Sequence, residues 1–325
     1  VLVVFQLGGQ SPCREVAYPA VWVVGGEVLP PQVLGFSSDG RTLWTGAALS
    51  GVKRWSFPSG ILEQTWWPGS DPLQIDLLPD RQLAAVVTRA NQLQVLDLRT
   101  GQTKLALPSS LWVTPRFLSD GQHLILADPL SHDVDGQGTA SLGVLRWRDA
   151  VLVEPILTPA EGAFSVVGAF DATDFLAVEP ARKMARFRLG QHTPVWETTA
   201  AVWPVLLAPS GEMILSVQGD EPLLFDASTG LLLRTWPRLS TNALALAWSP
   251  NGQEIAVALR DGTIQVRSAI TGAQVSSVEV PMGYGLPNLL GWSPEGRYLL
   301  IATTEQLLLW DRWEGGSMRE FYPLT

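Results

Sequence analysis

Short apolar segments alternate with clusters of Gly, Pro, Asp, Asn and Ser along most of the chain. Within these segments, apolar residues either alternate with polar ones, as in residues 263–267, or form short continuous runs, as in residues 243–248. Both patterns predict β-strands, whereas an amphipathic helix requires apolar residues spaced three and four apart. No segment of the chain shows this helical spacing, and Gly and Pro occur too often for long helices. The pattern therefore predicts an all-β protein.

One turn recurs at an interval of about 40 residues, and this is the period typical of a propeller blade. Gly211 and Gly252, for example, lie 41 residues apart in equivalent turns. A small or apolar residue begins the turn, and Pro and Gly supply the backbone angles that close it. The copies are residues 37–41, 78–81, 118–122, 208–212, 249–253 and 293–297, with a degraded copy at 170–174. Seven repeat units result.

Each unit contains four predicted strands. In the sixth unit, the recurring turn joins the strands at 243–248 and 254–259, and Asp261-Gly262 forms a hairpin before a third strand at 263–267. An Asp-Gly pair between alternating segments strongly indicates a two-residue hairpin, so neighbouring strands are antiparallel. The turn at 268–272 leads to a fourth strand. A β-helix would need parallel neighbours, so the sequence predicts a seven-bladed β-propeller of four-stranded antiparallel blades.

The propeller is predicted to span residues 34–325, after an N-terminal segment, residues 1–33, that contributes a ring-closing strand. We expect that strand to pair with the last blade near residues 318–322, because an open sheet edge invites aggregation. The predicted blades are approximately residues 34–70, 71–110, 111–160, 161–200, 201–240, 241–284 and 285–325.

Residues 248–252 with 261–266 resemble a blade of the WD-repeat family, and Trp310-Asp311 matches the Trp-Asp pair that ends its third strand. The Gly-His pair of that family is missing, so its buried His–Ser–Asp–Trp hydrogen-bond network is not carried over. The chain more closely resembles divergent bacterial propellers, including the repeat type of TolB-like domains. This resemblance implies the fold and is uninformative about a particular function.

Composition and charge narrow the possible partners. Hydrophobic residues make up 46% of the chain, and the net charge is −9. An acidic surface does not favour nucleic acid or anionic membrane as a partner, because both require basic surfaces. No segment is long and apolar enough to insert into a membrane. The single cysteine, Cys13, excludes an internal disulfide. An extracytoplasmic location is slightly favoured over a cytoplasmic one, and we expect a monomer or a part of a larger chain.

The sequence carries no serine-nucleophile, zinc-protease or phosphate-loop motif. Asp133-x-Asp135-Gly136 resembles the start of a calcium loop, but no further acidic ligand follows at the required spacing. The alternative is a long polar hairpin in the third blade. We therefore expect no cofactor, with Ca²⁺ at Asp133 and Asp135 as the weak exception.

The turn at 226–230 resembles part of the pyrroloquinoline quinone propeller motif. In that family a Trp four residues after the Gly docks one blade onto the next. Here that position is Arg234 and the tryptophan is Trp236. The cofactor chemistry of that family is therefore not expected.

Aromatic and arginine side chains in connections between blades are candidates for partner binding. In propellers that this chain resembles, these connections and the loops between the second and third strands line one face. Exposed aromatic residues and Arg dominate interface energetics. The predicted patch is Trp67, Trp112, Arg238 and Tyr284. Burial of some of them at blade junctions is the alternative.

We therefore expect a non-catalytic protein-interaction or sensor scaffold. A hydrolase or lyase at the channel mouth, or a propeller that binds a small ligand, is the alternative. Convergent carboxylates and histidines with shifted pKa values at the channel mouth would favour the enzyme.

Overall fold

The structure is a computed structural model, and it describes only part of the chain. The described residues are 22–24, 33–47, 51–66, 72–78, 82–109, 114–128, 141–157, 165–171, 173–179, 183–191, 193–199, 204–281, 283–303, 307–313 and 318–319. These residues form strands and turns, and none of them belongs to a helix long and apolar enough to cross a membrane.

The described strands form seven antiparallel sheets arranged as the blades of a ring, so the predicted seven-bladed β-propeller is confirmed. In blades 1 to 6, four consecutive strands pair in chain order from the inner to the outer edge. Blade 1 contains β2 (Val33–Phe36), β3 (Thr42–Ala47), β4 (Gly51–Ser56) and β5 (Ile61–Trp66). Blade 2 contains β6 (Pro72–Leu78), β7 (Leu83–Thr88), β8 (Gln92–Asp97) and β9 (Gln102–Pro108). Blade 3 contains β10 (Thr114–Phe117), β11 (His123–Asp128), β12 (Ser141–Arg146) and β13 (Val151–Leu157).

The second half of the ring repeats this order. Blade 4 contains β14 (Ser165–Ala169), β15 (Asp174–Glu179), β16 (Lys183–Arg188) and β17 (Trp196–Thr198). Blade 5 contains β18 (Val205–Leu207), β19 (Met213–Gln218), β20 (Glu221–Asp226) and β21 (Leu232–Thr235). Blade 6 contains β22 (Ala243–Trp248), β23 (Glu254–Leu259), β24 (Thr263–Ser268) and β25 (Gln274–Glu279).

Blade 7 differs from the others at its outer edge. Its first three strands are β26 (Pro287–Trp292), β27 (Tyr298–Thr303) and β28 (Leu307–Asp311). The outer edge of β28 pairs with β1 (Trp22–Val24) in the register Trp22 to Leu309, and with β29 (Met318–Arg319) in the register Trp310 to Met318. Segments from both ends of the chain therefore share the place that a fourth strand fills in the other blades.

The recurring turn between the first two strands of a blade is held by side chains that bond to its backbone. In blade 6, Ser249 Oγ donates to Asn251 Oδ1 over 2.7 Å, and the Glu254 N–H donates to Ser249 Oγ over 2.9 Å. In blade 1, Ser37 Oγ donates to Asp39 Oδ1 over 2.6 Å. Such short polar side chains satisfy turn backbone groups, which explains the recurring Ser-x-Asx pattern.

The core lies between adjacent blades, because the two faces of each sheet pack on different neighbours. One cluster joins blades 6, 7 and 1, and it includes Ala256, Leu300 and Trp55. At the junction of blades 7 and 1, the Phe57 ring meets the Tyr298 ring edge-on, with centroids 5.1 Å apart. This apolar contact closes the ring between the first and the last blade.

Candidate interaction surface

Strand order places the connections of a propeller on two opposite faces. The connections from one blade to the next and those between second and third strands lie at one end, here named the loop face. The connections between first and second strands, and between third and fourth strands, lie at the other end, named the turn face. Arg238 and Tyr284 follow the fourth strands of blades 5 and 6, so both belong to the loop face at neighbouring junctions.

Arg238 is an exposed residue of the loop face at the junction of blades 5 and 6. Its side chain is 68% exposed, and its guanidinium lies 3.5 Å from Asp220 and 3.4 Å from Glu221. The Leu239 N–H donates to the Asp220 carbonyl over 2.8 Å, which fixes the connection to the adjacent hairpin. The guanidinium is therefore held on the surface by two acidic residues without being covered by them.

Tyr284 has a different environment. It is half-buried and packs against the cluster that joins blades 6, 7 and 1, and its N–H donates to the Pro281 carbonyl over 3.3 Å. Leu286, two residues later, is 45% exposed. The sequence predicted either an exposed Tyr284 or one buried at a blade junction. In the structure, part of its side chain packs at the junction of blades 6 and 7 and part faces solvent.

The other predicted site residues cannot be compared with the structure. Trp67, Trp112, Asp133 and Asp135 lie outside the described residues, so the aromatic half of the patch and the calcium loop stay predictions. Within the described ranges, no group of three or more His, Cys, Asp or Glu side chains is arranged to hold a metal ion.

Tryptophans in or next to the fourth strands dock blades 1, 4 and 5 onto the blade that follows, a role that the sequence reasoning missed. A Cβ atom at Gly101 would lie 3.1 Å from Trp66, and one at Gly230 would lie 2.5 Å from Cε3 of Trp196. Trp196 Nε1 also donates to the Ala227 carbonyl over 3.1 Å. Each Trp thus packs on the glycine turn of the following blade.

The third such contact joins blades 5 and 6, where Trp236 lies against Gly272. Arg267 reinforces this junction, because its Nη1 donates to the Pro237 carbonyl over 3.1 Å and to the Gly272 carbonyl over 3.0 Å. Burial lowers the pKa of Arg267. A sequence pattern does identify these contacts: Trp66, Trp196 and Trp236 each stand six residues after a turn glycine rather than four.

Carboxyl groups with shifted pKa values hold turns and strands together. Hydrogen bonds from the hydroxyls of Ser228 and Thr229 lower the pKa of Asp226, which begins a turn-face connection. Burial alone would raise the pKa of Asp174, but hydrogen bonds from Arg188 and Arg186 lower it overall. In both groups the hydrogen bonds stabilise the ionised carboxylate, which in turn holds neighbouring turn or strand residues in place.

The inner strands of blades 2 and 3 are linked by an ion pair. Arg116 Nη1 lies 2.7 Å from Asp76 Oδ1, and the Phe117 N–H donates to Asp76 Oδ2 over 2.7 Å. Asp76 is largely buried, and both of its oxygens are engaged. The pair therefore joins the two blades at the inner edge of the ring.

Comparison with known proteins supports a WD-repeat-like propeller. Residues 197–294 match the family described as the anaphase-promoting complex subunit 4 WD40 domain. The β-propeller domain of Cps50 (Swd1) from Myceliophteria thermophila has a similar structure, with a TM-score of 0.74 and 12% sequence identity. The similarity covers 90% of this chain and 99% of that domain. No curated protein sequence matches the chain. The TolB-like and bacterial details stay predictions.

Proposed function

We propose that this propeller is a non-catalytic scaffold that binds a protein partner on its loop face. The observation that carries the proposal is the exposed guanidinium of Arg238, which two acidic neighbours position on a connection bonded to the adjacent hairpin. Arg on a preorganised surface contributes strongly to protein interfaces, because little side-chain entropy is lost when a partner binds.

Tyr284 at the neighbouring junction supports the same surface. Its ring is anchored in the core on one side, so its exposed part is presented in a fixed position. An amphipathic, conformationally restricted aromatic ring is favourable at an interface. Trp67 and Trp112 would extend this surface along the same face, beyond the described residues.

The class of partner is supported by two further observations. The match to a WD40 domain and the similarity to a WD-repeat-like propeller support a protein partner. The net charge of −9 disfavours nucleic acid and anionic membrane, since both repel an acidic surface. We propose a monomer or a part of a larger chain as the working state. For its location, we propose an extracytoplasmic one in preference to a cytoplasmic one.

Site-specific photo-crosslinking tests the proposed face. A photoreactive amino acid replaces Arg238 or Tyr284 on the loop face, and Arg41 on the turn face serves as the control position. We expect crosslinked partner protein from positions 238 and 284 and little from 41. Crosslinks from position 41 alone would show that the partner binds the opposite face and would contradict the proposal.

The alternative hypothesis, catalysis or small-ligand binding at the channel, needs reactive or ligand-binding groups near the inner strands. Asp76 and Arg116 are the charged side chains on the described inner strands. They are bonded to each other, and Asp76 also accepts a hydrogen bond from the Phe117 N–H. A structural link between blades is the simplest role for this pair. The scaffold proposal therefore takes precedence.

A further inference from the structure

The fourth strands of four blades carry a β-bulge at the same place. The register between β4 and β5 skips Glu63, and the register between β8 and β9 skips Lys104. The register between β20 and β21 skips Leu233, and that between β24 and β25 skips Val275. The skipped residues therefore occupy equivalent positions on the outer edges of blades 1, 2, 5 and 6.

The chemistry at this position differs between the two pairs of blades. Glu63 accepts a hydrogen bond from Arg54 over 2.8 Å, and Lys104 lies 3.0 Å from Asp97. Charged residues and bulges on edge strands prevent pairing with other chains. Leu233 and Val275 are 55% and 56% exposed and carry no charge. Blades 5 and 6 thus expose aliphatic groups where blades 1 and 2 carry paired charges.

Neighbouring positions enlarge this aliphatic surface. Leu231 and Leu232 are 67% and 52% exposed, and Ile270 is 66% exposed in the turn of blade 6. The positions equivalent to Ile270, two residues after the last residue of the third strand, carry arginine in blades 2 and 3, namely Arg99 and Arg148. We call the surface formed by Leu231, Leu232, Leu233, Arg234, Ile270 and Val275 the rim patch.

Arg234 joins the two halves of the rim patch. Its Nη1 donates to the Ile270 carbonyl over 2.9 Å, which brings the outer strand of blade 5 next to the turn of blade 6. Within the part of the chain that the structure describes, Arg234 has no carboxylate partner, in contrast to Arg54 in blade 1. An exposed apolar surface of this kind is typical of an interaction site, and the cation within it favours a partner of opposite charge.

The charge of Arg234 also indicates whether the rim patch binds a second copy of this chain or a different protein. A two-fold symmetric dimer through the rim patch would bring the two Arg234 side chains toward each other, because the same surface meets itself. Like charges at an interface core are unfavourable. We propose that the rim patch binds a segment of a different protein in which apolar side chains flank an acidic residue.

Peptide selection on the full chain tests this proposal. Short random peptides are selected by display on the wild-type protein, and the affinities of labelled selected peptides are measured by fluorescence anisotropy. We expect apolar sequences that contain Asp or Glu. The double variant Leu233→Lys/Ile270→Arg, which carries residue types found at equivalent positions in other blades, should weaken their binding at least about tenfold. Arg234→Glu should reverse the preference toward peptides with Lys in place of the acidic residue.

A matched control separates the rim patch from general surface effects. Ile61 is 52% exposed and is equivalent in blade 1 to Leu231, so Ile61→Lys should leave peptide binding unchanged. Melting curves confirm that each variant remains folded. The proposal is overturned if no peptide is selected, if selected peptides lack acidic residues, or if the double variant binds them like the wild type. A dimer that dissociates in the double variant would also overturn it, because a second copy would then occupy the patch.

The rim-patch proposal and the loop-face proposal can be tested independently of each other. Arg238→Ala and Tyr284→Ala should not change binding of the selected peptides, because both residues lie on the loop face rather than on the outer strands. A loss of peptide binding in these variants would place the peptide on the loop face and contradict the rim-patch proposal.

Discussion

The indole of Trp236 in blade 5 lies so close to Gly272 in blade 6 that the turn has no room for a side chain. Gly272 also has a positive φ of 70°, which residues with a Cβ adopt only at a cost. The same contact joins Trp196 to Gly230 and Trp66 to Gly101. Glycine at these turns therefore serves blade docking as well as the local backbone.

We expect Gly272→Ala to destabilise the protein by about 3 kcal/mol, because overpacking adds to the backbone strain. Gly252 is the matched control, since its φ is 69° and a Cβ there would meet no atom within 4 Å. Gly252→Ala should cost only about 1 kcal/mol. Urea denaturation measures both changes. Equal losses in the two variants would show that docking against Trp236 contributes nothing.

The buried carboxylate of Asp174 gives a second prediction. Its side chain is fully buried and accepts hydrogen bonds from Arg186 and Arg188 over 2.8 and 2.7 Å. Asp174→Asn leaves the guanidinium of Arg186, whose side chain is only 17% exposed, without its carboxylate partner, so the variant should lose about 3 kcal/mol of stability. Glu63→Gln breaks an exposed pair with Arg54 and should cost less than about 1 kcal/mol. The difference is measurable by chemical denaturation, and similar values for the two variants would refute it.

The pH dependence of stability follows from the lowered pKa of carboxyls such as Asp226. In the unfolded chain the pKa of Asp226 is near its ordinary value of 3.8, and in the folded protein it is lower. The folded state is therefore stabilised above that value, and this contribution disappears as the pH falls through the folded pKa. Melting temperatures should drop steeply below about pH 4. Asp226→Asn should be less stable at neutral pH and lose less stability on acidification. A pH profile parallel to that of the wild type would contradict this role of Asp226.

The outer edge of blade 7 provides a fourth prediction. β1 pairs with Leu307, Leu308 and Leu309 of β28. Deletion of residues 1–25 removes these backbone hydrogen bonds and exposes the edge, so stability should fall by about 2 kcal/mol and aggregation should increase. Val23→Pro in the full chain removes one N–H in the middle of the pairing and should also lower the melting temperature. Unchanged melting and solubility in both variants would show that the β1 pairing is dispensable.

Local sequence patterns were sufficient for the architecture of this protein. The recurring turn, the Asp-Gly hairpin at 261–262 and the alternating third strands predicted seven four-stranded blades, and the structure confirms them. The prediction from sequence was possible because turn chemistry and side-chain alternation depend on only a few neighbouring residues and recur from blade to blade.

Contacts between blades depended on the tertiary structure. A six-residue spacing places Trp236 after Gly230 in the sequence, but its partner Gly272 belongs to the next blade. The bond between Arg234 and the Ile270 carbonyl likewise joins residues of different blades, and it makes one surface from two separate segments. The sequence alone determined the period and the strands of this chain. Only packing between sheets decided which glycines lie against tryptophan and which leucines remain exposed, because burial depends on the neighbouring blade rather than on the local pattern.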